Sequence, residues 1–164
     1  MQSFELFKEM PTSLSAGIIQ YLRDDERDVY KSVIASLSVQ KKLRPVFIQR
    51  RPLEKQIEWI VSTLSTRLGN DVGEQVIQVY LMKAHKEMLS DFLDALKIEH
   101  EEGAVDDLPE ELEEADVKTA ADALLEKYPH EVVSLYLRVF QTQRPDGWAG
   151  IAKVLEDDER LKWA

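Results

Sequence analysis

Apolar residues recur every three or four positions along almost the whole of this chain, and that period restricts it to helices. Leu53, Ile57, Ile60, Val61, Leu64 and Leu68 make the clearest stripe. A run with this spacing brings its apolar side chains to one side only when wound at about 3.6 residues per turn. Leu14, Ile18 and Leu22 repeat the pattern after Pro11, with Thr12 or Ser13 as the expected N-cap. Val29, Val33, Ile34 and Leu37 repeat it again, in a helix whose first turn would hold Asp24, Asp25 and Glu26 and which would end near Leu43. Pro52 suits the first turn of the Leu53 helix, and Gly69-Asn70-Asp71 its end.

From Val72 to Ile98 the period holds without a strong stop. Ile77, Tyr80, Leu81, Ala84, Met88, Phe92, Ala95 and Leu96 mark one face, and Val79, Met82, Leu89 and Leu93 a second. A helix apolar on two sides is covered by neighbours, and Met88 to Ser90 is where a break is expected. Asp116 caps the next predicted helix, with Val117, Ala120, Ala121, Leu124 and Tyr128. Pro129 opens another, which carries Val132, Val133, Leu135, Tyr136, Leu137, Val139 and Phe140 and so reads as buried. Arg144 to Gly147 is a turn, and Trp148, Ile151, Ala152 and Leu155 make the last helix, with Leu161 and Trp163 packing back. The fold class is therefore all-α: about seven helices in antiparallel hairpins, helical-repeat-like, with one acidic loop. The best strand-like residues, Val46, Phe47 and Ile48, lie between Pro45 and Pro52, and the stretch from Arg44 to Pro52 reads as an extended connector. Residues 1–164 read as a single helical domain, with an N-terminal helical part (1–98), an acidic loop or linker (99–116) and a C-terminal helical part (117–164).

Two internal matches bear on repetition. Ala16–Arg27 and Ala149–Arg160 agree at eight of twelve positions, and Val76, Tyr80, Leu81 and Phe92 correspond to Val132, Tyr136, Leu137 and Trp148 at one constant offset. The run PTSLSAGIIQYLRDDER, Pro11 to Arg27, resembles the short helical repeats of the flagellar motor-switch G family and of magnesium-transporter N-terminal domains. That resemblance implies helical-repeat architecture and carries no function or site residue.

Charge is distributed unevenly. Glu99 to Asp116 holds ten acidic residues, no Lys or Arg, and one His; Lys41 to Lys55 holds six basic residues against one Glu. The net charge of −10 sets the chain as a whole against nucleic acid and anionic membrane. No apolar run approaches the roughly 20 residues of a membrane span, and the N-terminus lacks the pattern of an export signal. The chain contains no Cys, which excludes disulfides, thiolate metal sites and Cys nucleophiles and fits a cytoplasmic setting.

Chemistry-bearing patterns are few. No serine sits in GxSxG or SxxK, and Gly69 and Gly73 do not form a phosphate-cradling loop. Asp24-Asp25 and Asp157-Asp158 are adjacent in sequence, so on a helix they diverge by about 100° and read as caps rather than acid–base pairs. His85 reads as an exposed or boundary side chain, and His130, just after Pro129 in a helix first turn, as structural. His100, flanked by Glu99, Glu101 and Glu102, is the one candidate for a divalent cation, through an imidazole and carboxylate oxygens, although no HExxH-type spacing supports it. The basic strip comprises Lys41, Lys42, Arg44, Arg50, Arg51 and Lys55, interleaved with Phe47, a set able to meet an anionic partner.

The reading is of a non-enzymatic protein–protein interaction or scaffolding module with no cofactor. Alternatives are a metal-binding protein or enzyme centred on His100, and nucleic-acid or anionic-ligand binding through Lys41 to Lys55. A protein partner is expected, nucleic acid is disfavoured, and the two oppositely charged segments would pair with each other, in one chain or across a homodimer.

Overall fold

The computed structural model describes Met1 to Trp163. It is all-helical: among the described residues there are ten α-helices and no β-strand. They are α1 (Ser3–Glu9), α2 (Thr12–Asp25), α3 (Arg27–Gln40), α4 (Pro45–Gln49), α5 (Leu53–Leu64), α6 (Asn70–Val79), α7 (Lys86–Ala95), α8 (Glu114–Lys127), α9 (His130–Gln141) and α10 (Ala149–Asp157). Short 3-10 turns lie at Arg67–Gly69 and Glu159–Leu161, and a π-helical turn at Tyr80–Ala84. The chain divides into two compact units, Met1–Tyr80 and Leu81–Ala164.

The surplus over seven helices comes from segments too short to show a period. α1 has seven residues and α4 five. The long apolar run from Val72 is interrupted at the π-helical turn and at His85, whose ψ of 31° ends the helical path before α7; no break falls at Met88 to Ser90. The connector expected from Arg44 to Pro52 is instead helical at Pro45–Gln49. Pro45 occupies the first turn, where its fixed φ is already helical and its missing N–H costs nothing. Arg44, ahead of it, takes the extended conformation that a following proline imposes, with ψ at 134°.

Proline sets three other helix starts from one position earlier. Pro11, Pro52 and Pro129 stand at the N-cap of α2, α5 and α9. Each is extended, and its carbonyl accepts the first intrahelical N–H: Ser15 to Pro11 at 3.1 Å, Gln56 to Pro52 at 3.0 Å, Val133 to Pro129 at 3.1 Å. Asp24 and Asp25 close α2 rather than opening α3. Glu110 to Glu113 is not helical; α8 starts at Glu114, so Asp116 lies inside it rather than capping it.

In the first unit α2 packs on α3 and α5, α3 on α4, and α1 on α6. Leu14, Ile18, Ile19, Leu22, Val33, Ile34, Leu37, Ile60 and Leu64 fill the core between them. Ser3 docks α1, its hydroxyl donating to the Asn70 carbonyl at 2.5 Å, while a Cβ on Gly73 would stand 2.8 Å from that hydroxyl. In the second unit α8 packs on α7, α9 and α10. An aromatic chain runs through its core. Phe92 meets Tyr136 and Phe140 edge-on at centroid distances of 5.3 and 5.7 Å, and Phe140 meets Trp148 at 4.9 Å. Burial raises the Tyr136 phenol well above its ordinary pKa, so it stays neutral. The guanidinium of Arg138 covers the Trp163 ring at 4.4 Å, which brings the chain end back onto α9.

Partners distant in sequence, such as α1 with α6, α2 with α5 and α8 with α10, pack as firmly as consecutive ones. The residues of the internal matches also hold different stations. Phe92 lies within α7 and Trp148 is the N-cap of α10; Gly17 faces open space and Gly150 is buried.

Candidate functional site

The basic strip forms the turn that leaves α3, passes through α4 and enters α5, all within the first unit. α3 closes on a Schellman pattern, with the Leu43 N–H donating to the Ser38 carbonyl at 2.8 Å. Lys42 holds the left-handed position that glycine usually takes, at φ 57°. Arg44 is the N-cap of α4, and Arg50 and Arg51 follow its last turn. Ile48 is fully buried and pins the five-residue helix to the core.

The rest of that helix faces outward. Val39, Leu43, Val46 and Phe47 are four of the six large apolar side chains exposed among the described residues, Phe47 at 57% and Val39 at 73%. Around them Lys41, Lys42, Arg44, Arg50 and Arg51 are all exposed, and none forms an ion pair among the described residues. Lys55 differs, pairing along α5 with Glu58 at 3.1 Å. Scattered exposed apolar residues are ordinary; here four fall within nine positions of the chain, interspersed with exposed cations that have no ion pair among the described residues.

The loop that carries Arg50 and Arg51 is held by Gln56. Its side-chain NH₂ donates to the Gln49 carbonyl at 3.1 Å and to the Arg51 carbonyl at 2.8 Å, and its carbonyl oxygen accepts the Tyr30 hydroxyl. A short helix leaves its last carbonyls without partners, and one amide from the next helix supplies two donors. Tyr30 is buried, and that burial raises its pKa, so the hydroxyl keeps the proton it donates. Gln56→Ala is expected to cost about 1–2 kcal/mol and to speed amide exchange at Arg50 and Arg51 with no change in charge. Native-state hydrogen exchange checks it, with Tyr30→Phe as the partner variant.

The acidic segment is part of the second unit. Glu99 to Glu113 forms a strap attached at several points. Glu101 and Ala104 exchange both backbone hydrogen bonds, at 2.8 and 3.0 Å, across a tight turn in which Glu102 and Gly103 both have positive φ. The Trp148 indole N–H donates to the Pro109 carbonyl at 2.9 Å, and Arg144 donates to the same carbonyl at 3.0 Å and to that of Glu110. Gly150 of α10 lies so close to Leu112 and Glu113 that a Cβ there would stand 2.3 Å from the Leu112 carbonyl oxygen. Val105, Leu108 and Leu112 are partly exposed along the strap, between exposed carboxylates.

His100 is committed inside this strap. The Gly103 N–H donates to Nδ1 at 3.0 Å, which makes Nδ1 the acceptor, so the proton lies on Nε2 and is donated to Asp94 Oδ1 at 2.7 Å. Both ring nitrogens are spent, and Glu102 turns away to pair with Lys86 at 3.0 Å. Glu99 and Glu101 are exposed. Among the described residues no three His, Asp or Glu side chains are placed together to hold a metal ion, so Glu99, His100, Glu101 and Glu102 are not assembled as a ligand set. Two shallow grooves beside the strap share Lys97, Ile98, Glu99 and Asp107, and acidic residues make up about half of the lining of each.

Comparison with protein-family models, with curated proteins and with solved structures finds no match to this chain. No described helix is long and apolar enough to cross a membrane.

Sequence reasoning singles out the cations and Phe47 but misses Val39, Leu43, Val46 and the Gln56 clamp. The signal for the apolar three was present. Val39 lies off the stripe of Val33, Ile34 and Leu37, and Leu43 and Val46 follow a helix end, where no core face claims them. Gln56 gives no signal, because one polar residue on an amphipathic helix is ordinary.

Proposed function

We propose that this chain is a non-enzymatic interaction module whose working surface is the basic, apolar turn from Val39 to Arg51, and that this surface docks an acidic amphipathic segment of a protein partner. One observation carries the reading: four exposed apolar side chains within residues 39–47 stand among five exposed cations that have no ion pair among the described residues. A partner that covers such a surface must present apolar side chains flanked by carboxylates. The apolar contacts then supply most of the affinity, and the charges supply on-rate and register. The net charge of −10 weighs against nucleic acid or an anionic lipid surface as the occupant.

The test is fluorescence anisotropy with a labelled helical peptide bearing glutamates on one face and leucines on the other. Binding is expected to weaken about tenfold or more, equivalent to about 1.4 kcal/mol, in the Arg50→Glu/Arg51→Glu variant, and separately in Phe47→Ser. Peptide binding that ignores both variants overturns the reading. So does a protein that binds oligouridylate or phosphatidylserine vesicles and not the peptide.

A further inference from the structure

We infer that the partner is a second copy of this chain, whose acidic strap, Glu99 to Glu113, seats on the basic turn of the first copy. The inference rests on the docking surface proposed above and names its occupant.

The two surfaces match in kind as well as in charge. The turn presents Val39, Leu43, Val46 and Phe47 among Lys41, Lys42, Arg44, Arg50 and Arg51. The strap presents the partly exposed edges of Val105, Leu108 and Leu112 among exposed Glu99, Glu101, Asp106, Asp107, Glu110 and Glu111. No Lys or Arg interrupts the strap, and Glu54 is the single acid between Lys41 and Lys55. Like charges at close range are costly in each surface alone, and each becomes the counter-charge of the other on contact.

Both surfaces are also preformed, which lowers the ordering cost of association. Gln56 and Ile48 hold the turn; Arg144, Trp148 and the bare backbone of Gly150 hold the strap. Where each copy gives its strap to the other's turn, the interface is isologous and closes as a pair; a one-way strap-to-turn contact is heterologous and continues from copy to copy.

The test uses the full chain in two variants. In one, Lys42→Glu, Arg50→Glu and Arg51→Glu reverse the turn and leave the strap intact. In the other, Asp106→Asn, Asp107→Asn, Glu110→Gln and Glu111→Gln neutralise the strap and leave the turn intact. None of these seven side chains makes a hydrogen bond or ion pair within the described residues, so both variants are expected to fold, which circular dichroism checks. Neutralisation is used rather than removal, because the strap carries packing contacts of α10.

Wild type is expected to exceed monomer mass by light scattering at low salt and to fall to monomer at high salt. Each variant alone is expected to be monomeric, and an equimolar mixture of the two to recover a species of two chains. Wild type that stays monomeric at low salt overturns the inference, as does a variant that still associates alone or a mixture that does not assemble. The peptide experiment above separates the two failures. If the turn binds the acidic peptide and the chain does not self-associate, the second copy is the wrong occupant and the docking surface stands; if it does neither, both readings fall.

Discussion

Phe92→Ala is expected to lower stability by about 3–5 kcal/mol and to shift the unfolding midpoint down by about 6–20 °C. Phe92 has no exposed surface and lies where Tyr136 and Phe140 meet its ring edge-on. Truncation removes the transfer free energy of a phenyl ring, leaves a cavity between α7 and α9, and breaks two aromatic contacts worth about 0.5–1.5 kcal/mol each beyond their area. Against a total stability of about 5–15 kcal/mol, that is a large fraction. Phe92→Leu, which keeps most of the volume, should recover more than half of the loss. Thermal and urea denaturation with both variants checks the pair, and a loss below about 1 kcal/mol for Phe92→Ala would contradict the packing described.

Gly150→Ala and Gly17→Ala are expected to move stability in opposite directions, although the two glycines hold matching places in the AGIIQYLRDDER and AGIAKVLEDDER segments. Both lie in α-helices, where alanine is intrinsically favoured by about 0.5–1 kcal/mol. Beyond its chain neighbours and the backbone of its own helix, nothing lies within 4 Å of the position a Cβ on Gly17 would take, so the gain should appear in full. At Gly150 the same methyl would stand 2.3 Å from the Leu112 carbonyl oxygen and 3.1 Å from the Glu114 nitrogen. Both are backbone atoms, so either α10 moves or the strap lifts. The expected cost is about 1–3 kcal/mol or more, with faster proteolysis between Glu99 and Glu113. Melting curves and limited proteolysis read both effects, and a shared direction would mean that the strap does not lie on Gly150 as described.

The same two segments show how much of the fold the sequence discloses. Their helices follow from the apolar period, and both are found, but the role of the acidic pairs differs. The pattern places Asp24 and Asp25 in the first turn of the next helix, yet they close α2, and α10 ends at Asp157 with Asp158 as its C-cap. What each helix packs against does not follow. A glycine on an amphipathic helix looks alike whether its neighbour is water or a backbone carbonyl, since the difference lies in residues far along the chain. The connector between Pro45 and Pro52 failed for a related reason. Its Val-Phe-Ile run has β-propensity, but with no strand to pair with, the local geometry of Pro45 and the burial of Ile48 prevail.

The candidate surface divides in the same way. Its cations could be read directly, because charged side chains in one run are exposed almost by default. Of its apolar residues only Phe47 was read with them; Val39, Leu43 and Val46 were not, because a Val or Leu in sequence is assigned to the core until the structure shows that no core lies on that side. The strap reads as a linker by composition, yet it is tied down by Arg144 and Trp148, more than 30 residues away in sequence.

By itself the sequence determined that this protein is helical, that helices start at or just after Pro11, Pro52 and Pro129, and that a basic and an acidic segment stand apart along the chain. These are local consequences of period, backbone stereochemistry and composition. Only the tertiary structure decided that His100 spends both nitrogens within the strap, that Gln56 holds the basic turn, and that Val39, Leu43, Val46 and Phe47 face solvent. The first two depend on how the backbone turns to bring groups three to seven residues away, and Tyr30 from α3, within hydrogen-bond reach. The third depends on which distant residues fail to arrive. Hydrogen-bond partners and burial are properties of that path rather than of any residue alone.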